Sequence, residues 1–165
     1  AIVSLLPLGQ LRVRAALIAT AVALIGGIAP VMHGTFGTPS VTLLQLALLQ
    51  LAERSPSPLS FKPALGLLVF VTLFYPAALG WGAFDPYALG YQPLAPLAAL
   101  IPLAAALWWR QQYTWLIILA VDLAAYATGV FANLWDVLFD PLLALLALII
   151  VARQGVIRIS ASRSR

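Results

Sequence analysis

The chain has 165 residues, of which 63% are hydrophobic and 8% charged, with a mean hydropathy of +1.02. A soluble domain carries about 25% charged residues, so too little polar surface is available to coat a water-soluble globule, and the solvent is read as lipid. The net charge of +4 is distributed as loop charge rather than as a nucleic-acid surface, and the absence of Cys excludes disulfides, thiolate metal sites and thiol catalysis.

In chain order, Arg12 and Arg14 precede a first predicted span over 15–32. A base pair followed by an apolar run is also how a signal peptide begins. Pro30 stands where a small-residue cleavage site is wanted, so the segment is read as a retained helix. Ala15, Ala19 and Ala23 recur every four residues and give a smooth stripe for helix packing. A turn over 33–40 opens with His33 and ends in Thr38-Pro39, a capping hydroxyl before a residue with no N–H to satisfy. The second span, 39–53, is about 22 Å long against a hydrocarbon core of about 30 Å. Its Gln45 and Gln50 are expected to bond across helices.

A short loop with Arg54 leads to the third span, 61–79, in which Pro76 predicts a kink. The loop over 80–93 carries Trp81, Phe84, Tyr87 and Tyr91, aromatics suited to the headgroup level. The fourth span is 94–109. A matching aromatic belt of Trp108, Trp109, Tyr113 and Trp115 surrounds Arg110 before the fifth span, 113–129. The sixth, 134–153, has two readings: one helix capped by Asn133 and kinked at Pro141, which is preferred, or a short helix followed by a new one opened by Asp140-Pro141. The tripeptide Phe-Asp-Pro at 84–86 and 139–141 is read as helix-opening chemistry rather than as an internal repeat.

These elements define an all-α fold: one integral membrane domain over 1–165, with six transmembrane helices in three hairpins. The bases Arg12, Arg14, Arg54, Lys62, Arg110, Arg153, Arg158, Arg163 and Arg165 then all fall on one side, which the positive-inside rule makes cytoplasmic, together with both termini. Arg outnumbers Lys eight to one, the usage of a GC-rich bacterial genome, and the expected location is the bacterial inner membrane.

The residue that stands out chemically is Asp122, deep in the fifth span. An ionisable group at that depth costs about 2.5–3.5 kcal/mol to insert, so it faces protein or water. No base lies at its depth, and the neutral partners within reach are Tyr126, Gln45, Thr72, Thr128 and His33. Asp122 is read either as a proton or cation site or as a group pairing with another chain. Asp136 and Asp140 share a helix face, with Asp140 the deeper. The half of the chain away from the bases thus holds acids and His33, an environment that attracts cations. His33, the single histidine, is an interfacial residue or a lone ligand. Nucleophile elbows, phosphate loops and H-E-x-x-H spacing are missing, so no catalytic residue, metal site or cofactor is assigned and an enzyme is not expected.

Two functions are open. With no large extramembrane domain, short Pro-broken helices and an Asp lacking a counter-charge, the chain is expected to be an accessory subunit of a larger membrane complex, its partners being the lipid bilayer and other membrane subunits, and not nucleic acid. The alternative is a component that transports a small solute, cation or proton through an outward-facing acidic site. Six helices with both ends inside, and the Ala15-x-x-x-Ala19 stripe on the first, resemble the substrate-binding S components of energy-coupling-factor vitamin transporters. That resemblance implies a solute-binding membrane subunit; no substrate-binding residue carries over by position.

Overall fold

The computed structural model describes residues 11–25, 37–52 and 59–163. The regular elements among the described residues are all helical: α1 (Arg12–Ile25), α2 (Val41–Ala52), α3 (Phe61–Ala78), a 3-10 turn (Ala88–Tyr91), α4 (Leu94–Trp109), α5 (Tyr113–Ala127), α6 (Leu134–Leu138) and α7 (Pro141–Arg163). Of these, Phe61–Ala78 is long and apolar enough to cross a membrane unaided, and α2, α4, α5 and parts of α1 and α7 are shorter apolar helices.

The helices run back and forth between two ends. Leu59, Ser60 and Lys62 before and within α3 border the same cleft as Arg110 and Gln112 after α4, which makes this the basic end. The opposite, acidic end is tied together by hydrogen bonds between three turns. The Ser40 amide donates to Asp140, the Asn133 amide nitrogen donates to the Tyr87 carbonyl (3.0 Å), and the Trp135 indole N–H donates to the Pro86 carbonyl (2.9 Å). The α4–α5 turn is tight, and Gln111 closes it with a positive φ of 55°.

The core lies along the seam between α3 and α7, the broadest helix pairing among the described residues. Ala64 and Ala147 are completely buried, and Val71, Phe74, Leu143 and Leu146 fill the rest. Small residues at such a seam let two backbones approach closely. At the acidic end the seam is locked by Phe139, whose ring meets Phe74 edge-on at 4.8 Å and Phe70 at 5.2 Å.

Two expectations are corrected. The single kinked helix over 134–153 does not form: Phe139 is extended (φ −155°, ψ 154°), and Asp140 opens a separate helix that continues to Arg163. The reason is capping, since the Asp140 carboxylate accepts from the Leu143 amide at 2.6 Å and satisfies an otherwise orphaned donor of the new helix. The second span opens two residues later than Pro39, because Ser40 rather than Thr38 caps it, its hydroxyl accepting from the Leu43 amide at 3.2 Å. Asn133 does cap α6, as expected, by accepting from the Trp135 amide at 2.9 Å. The helix α3 runs through Pro76 without interruption. His33, Pro30, Arg54 and the first turn up to residue 36 lie outside the described residues.

Candidate functional site

Two cavities face opposite ends, and each holds buried acid. The first is a cleft of about 590 Å³ between α2, α3, α4 and α5. Exposed Ser60, Lys62, Arg110 and Gln112 form its mouth at the basic end, and its walls are leucines with Trp115. Buried Thr42 and Asp122 lie at its inner limit. Asp122 is 1% exposed. One carboxylate oxygen accepts from the Thr42 hydroxyl at 2.6 Å and the other from the Gln45 amide nitrogen at 2.8 Å. Gln45 also donates to the Ile118 carbonyl at 3.1 Å, which pins its amide between two turns of α5. A buried polar group must be bonded to be tolerated, and here α2 supplies both donors.

Of the partners expected for Asp122, the structure selects Gln45. Thr72 and Thr128 instead bond back to carbonyls of their own helices, Thr72 to Leu68 and Val69 and Thr128 to Ala125. Tyr126 is half-buried and gives Asp122 no bond, and His33 lies outside the described residues. Thr42 was not expected. The only signal for it was its place three residues before Gln45, on the same helix face.

The second cavity, about 330 Å³, lies at the acidic end. Its wall combines the rings of Phe74, Tyr75, Tyr87, Trp135 and Phe139 with the carboxylates of Asp136 and Asp140 and with Gly37 and Thr38, and no Lys or Arg among the described residues borders it. The two acids therefore border one pocket, although the break at Phe139 means that they do not share the single helix face their spacing predicted. Each is held by neutral donors. The Tyr87 hydroxyl lies 2.9 and 3.1 Å from the two Asp136 oxygens, and Asp140 accepts the amides of Ser40 and Leu143. Burial, then the bonded Asp136 carboxylate, pushes the Tyr87 phenol well above its ordinary range, so it remains a donor. Asp85, by contrast, accepts from the Tyr87 amide at 2.9 Å and shapes the turn.

Ala15 and Ala19 are half-buried, while Leu17, Ile18 and Val22 on the same helix are exposed; the Ala23 side chain lies outside the described ones. Among the described residues no group of three His, Asp or Glu side chains is placed to hold a metal.

Comparison of the chain with protein-family models, with curated proteins and with solved structures gives no match.

Proposed function

We propose that this is a polytopic inner-membrane protein whose acidic end faces outward and binds a small organic cation, as a component of a transport process. The membrane part of the reading is supported by what the helices expose. Only 17% of Phe61–Ala78 is buried, whereas the core helix of a soluble protein is mostly covered. Large apolar side chains are exposed on α1, α2, α3, α4, α5 and α7, among them Leu48, Leu73 and Ile117, far more than a water-soluble surface carries in one patch. Trp81 and Phe84 at one end and Trp108 and Trp109 at the other are exposed as two aromatic belts. Lys62 and Arg110 share the basic end, which the positive-inside rule makes cytoplasmic. The topology proposed is six spans in three hairpins, with the short helices α2, α4 and α5 accommodated by local thinning of the bilayer.

The observation that carries the ligand class is the acidic-end pocket: five aromatic rings and two carboxylates, with no base among the described residues of its wall. Aromatic faces attract cations by about 0.5–2 kcal/mol each, most strongly when desolvated, and recognise quaternary ammonium groups in this way. The donors to both carboxylates among the described residues are neutral, so no described base competes there with a cationic ligand. Titration calorimetry of the purified protein in nanodiscs tests this. Tetramethylammonium should bind, sodium should not compete at equal concentration, and Asp136→Asn and Trp135→Leu should each weaken binding at least tenfold. Equal affinity in all three proteins would remove the pocket from consideration.

A second reading, an accessory subunit of a membrane complex, is favoured by α1. It makes no broad pairing with another described helix and exposes Leu17, Ile18 and Val22 beside the small Ala15 and Ala19. Asp122 no longer supports that reading, because its donors come from its own chain. Replacing Ala15 and Ala19 by Leu should release any partner that co-purifies from native membrane, and should leave cation binding unchanged.

A further inference from the structure

The two cavities share one wall. Leu138 and Leu143 border the basic-end cleft, and three of the four residues between them, Phe139, Asp140 and Pro141, border the acidic-end pocket. The change of side falls at the break in the helix, where Phe139 is extended (φ −155°, ψ 154°). A single non-helical link thus separates a cavity reached from one end from a cavity reached from the other. Asp122 stands just beyond it, with Thr42 and Leu143.

Resting on the cation-binding reading above, we propose that the two cavities are the ends of one route for the same organic cation, with Leu138–Leu143 as the partition and Asp122 as the cation's station on the cytoplasmic side. Among the described residues the Asp122 carboxylate is bonded by no Lys or Arg, only by the neutral Thr42 and Gln45, so no described base competes there with a cation. The bases that face the cleft, Lys62 and Arg110, are at its exposed mouth. Ten residues of helix, about 15 Å, separate Gln112 at that mouth from Asp122. Both volumes lie within the ordinary range of small-molecule sites, about 300–1,000 Å³. Discontinuous helices are where membrane transporters place their substrate sites and the elements that rock between two access states, and the α6–α7 break is such an element.

The test uses the full chain in proteoliposomes with radiolabelled tetramethylammonium as the probe. The wild type should accumulate it when the interior is negative. Asp122→Asn should bind it at the acidic end within threefold of wild type yet take it up at least tenfold more slowly. Because the chain has no Cys, Leu107→Cys places one thiol in the cleft wall. A bulky charged methanethiosulfonate applied from the basic end should then stop uptake without altering binding, and this arm decides the matter if Asp122→Asn fails to fold. A wild type that binds the cation but does not carry it, an Asp122→Asn protein that carries it at the wild-type rate, or a modified Leu107→Cys protein that still carries it would overturn the route and leave the outer pocket standing. A wild type that does not bind it overturns the pocket first and the route with it.

Discussion

Asp140 closes a loop of one hundred residues by accepting the backbone amide of Ser40 while it caps the helix that starts at Pro141. Ser40 in turn caps α2. Two helix N-termini are therefore joined through one buried carboxylate, 4% exposed, at the wall of the acidic-end pocket.

Asp140→Ala removes the cap of α7 and strands the Ser40 N–H. A lost cap costs about 0.5–2 kcal/mol and a buried unsatisfied donor about 1–3 kcal/mol. Thermal unfolding in detergent should show a loss of about 2–4 kcal/mol, with Asp140→Asn losing less than half of that because one acceptor oxygen remains. Equal stability of all three proteins would show that the bond to Ser40 contributes nothing.

Gly90 is buried where a side chain has no room. A Cβ there would meet the Asn133 side-chain oxygen and lie 2.6 Å from the Asn133 Cγ and the Trp135 Cδ1. Gly90→Ala should cost about 1–3 kcal/mol by overpacking, and the shift of Trp135 should change its fluorescence. Gly82→Ala, with nothing within 4 Å, is the control and should match wild type in both measurements.

The Tyr87 phenol should titrate later than an ordinary tyrosine, whose value is 10.0. Its folded value is raised above the unfolded one, so the folded state holds the proton more tightly. The associated stability is complete below about pH 10 and is lost as the pH climbs from there through the folded value. Ultraviolet titration should show one fewer late phenol in Tyr87→Phe than in the wild type. An unchanged count of late phenols in Tyr87→Phe would show that Tyr87 titrates as an ordinary tyrosine.

Single cysteines at Gly82 and Gln111, introduced into this Cys-free chain, should react with an impermeant thiol reagent from opposite sides of sealed vesicles, Gly82 from outside and Gln111 from the cytoplasmic side. Reaction of both from the same side would reject the proposed arrangement of spans.

Helix positions were legible where lipid-compatible apolar runs meet strong punctuation. The fourth span has the bounds expected, 94–109, because Pro93 precedes it and Arg110 follows it. The sixth was misread because the rule that Pro kinks a helix is local, whereas the break at Phe139–Asp140 is held by a donor one hundred residues away. The same distinction applies to the sites. That Asp122 needed a neutral partner, and that Gln45 was one, followed from its depth and the scarcity of polar groups there. Which hydroxyl joined it did not follow: Thr72 and Thr128 had equal claim in the sequence but lie where their own helix carbonyls satisfy them. The aromatic wall around Asp136 and Asp140 was hidden for a different reason. Tyr87 reads in the sequence as a headgroup anchor and Tyr75 carries no signal beyond its place before Pro76, and only packing brings them to the same pocket as Trp135.

The seam between α3 and α7 also has a consequence for biogenesis. The face of α3 built from Ala64, Val71 and Phe74 is covered by α7, which follows every other described helix in the chain. While α4 and α5 are being made, that face has no permanent neighbour, and the carboxylate of Asp140 has not yet met Ser40. Burial of that face thus waits for the residues from Pro141 onward, and a chain cut short before Pro141 would leave this face of α3 without its α7 partner.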